Sequence, residues 1–316
     1  MTKECGALTD TSGSNEGGGS GLTTRAGFVA LIGAPNAGKS TLVNHLVGAK
    51  VSIVTHKVQT TRGMVRGVWT GDDTQIVLID TPGIFAPKRR LDRAMVRSAW
   101  SGARDADVIV FLVDAERGLT GDAANILRDL ESVAIPKVLV LNKIDRIDPE
   151  RLLLLAAEAN AKVSFEATYM ISALKGSGTD DLLAHLAAAM PEHPFFFPED
   201  QVSDLPLKQL AAEVTREKLY LRLHQELPYA AHVETESWTE TKKGIRIEQV
   251  VYVARESQRS IVLGKGGAAI KAIGKAAREE LAEMLEKPVH LFLFVKVRNW
   301  ESDPERYREM GLEFTK

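Results

Sequence analysis

The stretch Gly33-Ala34-Pro35-Asn36-Ala37-Gly38-Lys39-Ser40 limits what this chain can fold into more than any other feature. It matches G-x-x-x-x-G-K-[ST] and lies between a short apolar run, Phe28–Ile32, and a segment of helical spacing, Thr41–Val47. The glycines allow a loop whose backbone N–H groups turn inward around phosphate oxygens. The helix that follows adds partial positive charge at its start. Lys39 can then reach the β- and γ-phosphates, Ser40 can ligate Mg²⁺, and Thr41 opens the helix. A chance glycine-rich turn is the alternative, and the strand-to-helix context argues against it.

Further short apolar runs, bounded by turn signals, occur at Gln75–Asp80, Val108–Asp114, Lys137–Leu141 and Thr168–Ile171. Such runs suit strands covered on both faces, as in a parallel sheet. Helical stretches fall between them, around Asp92–Ala103, Ala123–Val133, Pro149–Ala161 and Thr179–Met190. Met64–Thr70 alternates and directly precedes the Gln75 run, so it reads as an antiparallel edge strand. The expectation for 26–190 is an α/β domain, a doubly wound and mostly parallel sheet. Residues 1–25 are rich in Gly, Ser and Thr and are expected to form a disordered tail. Residues 191–206, with the run Pro191-Glu-His-Pro-Phe-Phe-Phe-Pro198, read as a linker lying on a domain surface. The alternative is the final loop of one larger domain.

Asp80-Thr81-Pro82-Gly83 falls at the end of the Gln75 run, at the carboxyl edge of the sheet where ligands of such folds bind. There Asp80 can hold Mg²⁺ through water, and the Gly83 N–H can face a γ-phosphate. Between this turn and the phosphate loop lies Gln59-Thr60-Thr61-Arg62. A hydroxyl here could complete the Mg²⁺ shell and order the loop when the γ-phosphate is present. Spacing does not decide between Thr60 and Thr61; Thr61 is favoured. Lys39, Thr61 and Gly83 are therefore the candidate catalytic residues, and Ser40, Thr61 and Asp80 the candidate metal ligands.

Asn142-Lys143-Ile144-Asp145 follows the Lys137 run, and Ser172-Ala173-Leu174 follows the Thr168 run. A carboxylate at position 145 can accept hydrogen bonds from guanine N1–H and its 2-amino group. Adenine offers neither donor and would leave the carboxylate unpaired. Lys143 can lie along the base, and the Ala173 N–H can meet guanine O6. GTP and GDP with Mg²⁺ are the expected ligands. In this order the elements resemble the translation-factor-related GTPases over about 26–190. In Ras-like enzymes a glutamine after the Asp-x-x-Gly turn orients the attacking water. Here Ile84 stands in that place, which implies slow intrinsic turnover raised by a partner or an ion. The alternative is that Ile84 packs into the fold and a residue elsewhere positions the water.

Beyond 206 the pattern changes to a helix at Leu207–Leu223, strands near His232–Thr239 and Ile245–Val253, two helices within Ser260–Leu285, and a strand at Val289–Val297. Gly264-Lys265-Gly266-Gly267 joins the two helices and fits the G-x-x-G loop of a KH domain. Lys265 would face phosphates, with Lys271 and Lys275 extending a positive stripe. Ile261, Val262, Ile270 and Ile273 would line a groove for unstacked bases. The glutamates around 279–286 read as a solvated outer face. The order makes 207–316 a smaller α+β domain of the type II KH arrangement.

A Ras-like domain followed by a KH domain resembles the Era family of GTPases over nearly everything after the tail. Leu227-Pro-Tyr229 and Pro288-Val-His-Leu291 support the match. The resemblance implies a monomeric assembly factor for the 30S (small) ribosomal subunit. Its KH domain would bind the 3′ end of 16S ribosomal RNA under control of GTP. It also implies peripheral membrane association, on which the residues themselves are silent.

Composition narrows the other classes. With 316 residues, 44% hydrophobic and 26% charged, there is material for two cores. The net charge of −2 leaves room for a local basic patch but not for a uniformly basic coat. A single cysteine, Cys5, fits a reducing cytoplasm and no Cys-based zinc site. No apolar run approaches the ~18–20 residues of a membrane span. A tRNA-modifying GTPase would need a second catalytic cluster after Met190, and none is evident. A GTPase whose second domain only docks a protein is the other alternative.

Overall fold

The computed structural model describes residues 23–223 and 227–314. The expected tail lies outside these residues as far as position 22. Its last residue belongs to the fold: Arg25 opens β1 (Arg25–Ile32) and pairs with Thr74. The strand starts three residues before Phe28 because its first turn is held by partners on β3, which no local apolar pattern announces.

After β1 come α1 (Lys39–Val47), β2 (Val65–Thr70), β3 (Thr74–Asp80), α2 (Arg90–Arg104), β4 (Val108–Asp114) and α3 (Asp122–Leu130). Next are β5 (Lys137–Asn142), α4 (Pro149–Lys162), β6 (Ala167–Ile171) and α5 (Thr179–Ala189). The strands pair in the order β2-β3-β1-β4-β5-β6, with only β2 antiparallel. β3 and β4 are buried at every position, with the apolar runs Ile76–Ile79 and Val108–Val113 at their centres. One core lies on each face of the sheet. Each fully buried Leu, Ile or Phe side chain there contributes ~1.5–3 kcal/mol relative to exposure.

Residues 191–206 run along the outer edge of this sheet. Gln75, fully buried, accepts from the N–H groups of Phe196 (2.9 Å) and Phe197 (3.0 Å) and donates to the Phe197 carbonyl (2.9 Å). Phe196 packs on Phe28, with ring centroids 4.7 Å apart. Farther along, the Val202 carbonyl accepts from the Val68 N–H at 2.9 Å.

The remainder is α6 (Leu207–Arg222), a short α7 (Leu227–Ala230), β7 (His232–Thr241), β8 (Gly244–Val253), α8 (Glu256–Leu263), α9 (Ala268–Met284), β9 (Val289–Val297) and α10 (Pro304–Glu309). β8 pairs antiparallel with β7 and parallel with β9. Helices α6, α8 and α9 cover one face, where Leu219, Val251, Val253, Val262 and Ile273 meet. The opposite face carries Val250 and Tyr252. These residues pack with Trp300, Tyr307 and Leu312, and with Leu91 and Met95 of α2.

His232 is buried under Trp300, their ring centroids 5.1 Å apart. Burial, assisted by Arg62, Arg306 and Arg216, drives its pKa from 6.5 down to about 3. Below pH 6.5 the unfolded chain takes up a proton that the native chain refuses until about pH 3. Stability therefore falls as pH drops through that window, by about 2 kcal/mol at pH 5 from this residue. Urea midpoints at pH 7.5 and pH 5 should differ accordingly, and His232→Gln should shrink the difference. Equal losses in both proteins count against a neutral, buried His232.

Candidate functional site

The phosphate loop leaves β1 and enters α1 through Gly38, whose φ of 104° is left-handed. A Cβ at Gly38 would lie 2.2 Å from the Asn142 side chain, so only glycine fits that approach. Lys39 is buried and folds back on its own loop, donating to the carbonyls of Gly33 (3.1 Å) and Ala34 (3.2 Å). Burial pushes its ammonium down to about 8, with the nearby Asp80 carboxylate opposing that shift.

Asp80 sits at the end of β3 with no exposed surface. Its Oδ2 accepts from three hydroxyls: Ser40 (2.6 Å), Ser52 (2.6 Å) and Thr61 (3.2 Å). Its Oδ1 is buried with no hydrogen-bond partner. Burial pushes the carboxyl up, and the hydroxyls together with Lys39 pull it back. A carboxylate with one orphaned oxygen, ringed by hydroxyl oxygens, is a donor set that fits a hard divalent cation and its waters.

The two threonines left open by spacing point different ways. Thr61 Oγ1 lies 3.0 Å from Ser40 Oγ and reaches Asp80. Thr60 Oγ1 faces away, toward Thr55 (2.6 Å) and the Lys57 carbonyl (2.8 Å). Ser52 was missed by motif reading, as was Asn44. Asn44 fixes the start of this loop by accepting from the N–H groups of Val51 (3.0 Å) and Ser52 (2.9 Å). Neither belongs to a recognisable signature; only the fold brings them together.

At the other end of the same cleft, Asp145 lies in a short 3₁₀ turn and accepts from Ser172 Oγ at 2.8 Å. That hydrogen bond is the main reason its carboxyl is held below the usual range. Lys143 donates to Asp114 Oδ2 (2.6 Å) and to the Asn36 carbonyl (2.8 Å), which ties the base end to the phosphate end. Asp114, unsuspected from sequence, thus holds the lysine in place. The cleft has a volume of about 490 Å³, and Pro35, Asn36, Gly38, Lys39, Ser40, Thr41, Thr61, Gly83, Asn142, Lys143, Asp145, Ser172, Ala173 and Leu174 line it.

Several expected residues take other places. The Ala173 N–H, expected to meet the base, donates instead to Asn142 Oδ1 at 2.9 Å. Ile84 packs into the core and its N–H bonds the Gly33 carbonyl at 3.1 Å. Thr81 is buried with its hydroxyl on the Leu31 carbonyl (2.6 Å), and Pro82 and Ala37 are buried too. Gly33 and Ala34 present carbonyls to Lys39.

On the second domain, α8 begins at Glu256, four residues before the expected Ser260, and runs into the glycine loop. Gly264, Gly266 and Gly267 all have positive φ, and a Cβ at Gly266 or Gly267 would meet nothing. Lys265, Lys271 and Lys275 are exposed, though Lys275 lies 3.8 Å from Glu279. Ile261 is exposed and Ile270 half-buried. Val262 and Ile273 are corrected from groove to core: both are fully buried against the sheet. Of the glutamate face, Glu279, Glu283 and Glu286 are exposed as expected, and only Glu280 departs, pairing with Lys50 and Lys218.

Comparison with known proteins finds a separate match in each half of the chain. A family model described as 50S ribosome-binding GTPase matches residues 28–143, and a KH domain model matches residues 226–302. The chain is 67% identical to GTPase Era of Sinorhizobium medicae over 297 residues, covering 93% of this chain and 96% of that one. It is 65% identical to GTPase Era of Rhizobium meliloti, covering 98% and 99%. Among solved structures it resembles Era in complex with MgGDPNP and nucleotides 1506–1542 of 16S ribosomal RNA. That match has a TM-score of 0.86 and 39% identity, over 91% of this chain and 99% of that one. A variant of Aquifex aeolicus Era bound to GDP and aluminium fluoride matches with the same TM-score, at 38% identity and the same coverage. Among the described residues no helix is long and apolar enough to cross a membrane.

Proposed function

The chain belongs to the Era family of GTPases, and on that premise we propose that it is a GTP-driven assembly factor of the small ribosomal subunit, acting in the cytoplasm on the 3′ end of 16S ribosomal RNA. One observation carries this reading. The same two-domain fold, at 39% identity across 91% of the chain, has been solved with a magnesium-bound GTP analogue and that RNA segment together. The small-subunit assignment rests on that complex, since the family description of the first domain names the large subunit.

The chain's own residues fit the chemistry. Backbone amides of Asn36 to Ser40 would cradle the phosphates. Lys39 would exchange its two carbonyl contacts for phosphate oxygens, which restore the charge that burial weakens. Ser40 and Thr61, with Asp80 behind them, would hold Mg²⁺, which supplies positive charge against the phosphates. Asp145 would read the guanine edge, held in its ionised form by Ser172. The Gly83 N–H would face the γ-phosphate. Position 84 brings no polar side chain to the attacking water, so intrinsic hydrolysis is slow and a partner or ion completes the site.

For RNA, the exposed loop Gly264–Gly267, with Lys265, Ile261, Ile270, Lys271 and Lys275, would receive a single strand. Glycines there let the phosphodiester backbone approach closely. Gly266→Asp tests this. Position 266 is open and left-handed, a conformation Asp tolerates better than most residues, so the fold should survive. The added carboxylate would face the RNA phosphates. Affinity for a short RNA carrying the 16S 3′ sequence should fall on the order of 100-fold, with GDP affinity unchanged. Unaltered RNA affinity would leave the KH loop without this role.

A further inference from the structure

Thr61 and Arg62 are neighbours in the chain, with Cα atoms about 3.8 Å apart, but their side chains serve opposite halves of the molecule. Thr61 turns to Ser40 and Asp80. Arg62 is almost fully buried, and its guanidinium enters a cage built by the second domain. Nη1 donates to the Ala231 carbonyl (3.0 Å), while Nη2 donates to the Tyr229 carbonyl (2.9 Å) and to Tyr220 Oη (3.1 Å). The group also lies 5.1 Å from the Trp300 ring and 5.9 Å from the Tyr220 ring. Only a planar fork reaches acceptors spread in this way; a lysine ammonium does not.

The flanking loop is fastened to the same helix. Arg216 of α6 donates to the Thr60 carbonyl, and Glu217 accepts from the Val54 N–H at 2.9 Å. Lys57 donates to the carbonyls of Tyr220 and Leu223, and Tyr220 Oη reaches the Gln59 carbonyl at 3.3 Å. Arg62 is the more deeply buried of the cations held without an ion pair here: among the described residues no carboxylate lies within ion-pair distance of it, and its Nε is buried without a partner. Carbonyl dipoles and aromatic faces at contact distance, with Glu213 farther off, offset the loss of its hydration. Burial accordingly lowers its pKa.

We infer that Arg62 is a positioning residue that ties Thr61 to the RNA-binding domain, so that the seating of that domain on the 54–62 loop and the seating of Thr61 at the metal site are one equilibrium. The inference rests on the reading above, in which Thr61 meets Mg²⁺ and the KH loop meets RNA. A γ-phosphate that draws Thr61 inward pulls on the cage. RNA that shifts the second domain pulls on Thr61. By linkage the two effects are equal in size: the factor by which a GTP analogue changes RNA affinity is the factor by which RNA changes affinity for the analogue.

The test uses the full chain, a non-hydrolysable GTP analogue, GDP, and a short RNA with the 16S 3′ sequence. RNA affinity is titrated in each nucleotide state for the native protein, Arg62→Ala, Arg62→Lys and Tyr220→Phe. The native ratio between the two states should be on the order of 10. It should collapse to about 1–2 in Arg62→Ala and Arg62→Lys. In Tyr220→Phe, which removes one acceptor and keeps the ring, it should fall only in part. Tyr220→Phe also guards against an Arg62→Ala protein that does not fold. A merely structural role would lower the melting temperature and leave the ratio intact. A ratio that survives in Arg62→Ala, or in Tyr220→Phe and Arg62→Lys together, overturns the inference while leaving RNA and GTP binding in place. A native protein that binds the RNA in neither state overturns the parent reading instead.

Discussion

Asp145→Asn is expected to turn a guanosine-specific protein into one that prefers xanthosine nucleotides. The carboxylate is held in place by the Ser172 hydroxyl, and that bond survives the exchange because an amide carbonyl also accepts it. What changes is the other oxygen, which becomes an NH₂ donor. Facing guanine's own 2-amino group, it gives two donors in contact and an unsatisfied pair. Facing the 2-oxo group of xanthine, it gives a hydrogen bond. A site built around a hydrogen bond rejects the unmatched partner strongly, so GTP affinity should fall ~10²–10³-fold while XTP affinity rises by a similar factor. Competition against a fluorescent GDP measures both. Retention of GTP affinity within a few-fold would mean that position 145 does not read the base.

Lys39→Ala should have the larger effect on the reaction and a small one on the fold. The lysine is buried, and in the ligand-free protein it satisfies only two loop carbonyls, so its ammonium sits at a site where burial already pushes the pKa down to about 8. Removing it relieves that burial, which offsets much of the lost hydrogen bonding. Against a phosphoryl group, a fixed buried cation acts where charge shifts in the transition state, and loss of one such group costs ~10²–10³ in rate. Single-turnover hydrolysis at saturating GTP should show that loss, with the urea midpoint of the nucleotide-free protein little altered. A rate within tenfold of native would assign the charge neutralisation to other groups.

The nucleotide cleft was legible because its parts are local. Gly33–Ser40, Asp80–Gly83 and Asn142–Asp145 are each a turn at a strand end, and a parallel sheet puts every such end on one edge. What stayed hidden depends on residues distant in sequence. Ser52 reaches Asp80 from 28 positions away, and Arg62 meets partners 158 to 169 positions away. No spacing rule addresses such pairs. The groove residues failed for another reason. Val262 and Ile273 lie in amphipathic helices, and helical periodicity says which residues share a face without saying whether that face meets the sheet or a ligand. Glu280 was assigned to solvent from its acidic neighbours, but Lys50 of the first domain occupies the space opposite. Ala173 lines the cleft as expected, but its N–H bonds Asn142 Oδ1, a partner 31 positions away that no local pattern announces.

The apolar seam between α2 and the outer face of β8 bears on how the protein holds together. Leu91 and Met95 come from one half of the chain, Val250 and Tyr252 from the other, and Trp300, Tyr307 and Leu312 close over them. Cutting the molecule anywhere near Met190 would bare this seam on both fragments, leaving each with a sticky, unfinished flank. The first helix after the Asp80–Gly83 turn is thus part of the second domain's foundation. A displacement of that helix must carry its neighbour along or open a water-filled crack, so large independent excursions of the two halves are costly and coordinated tilting is the motion this architecture favours.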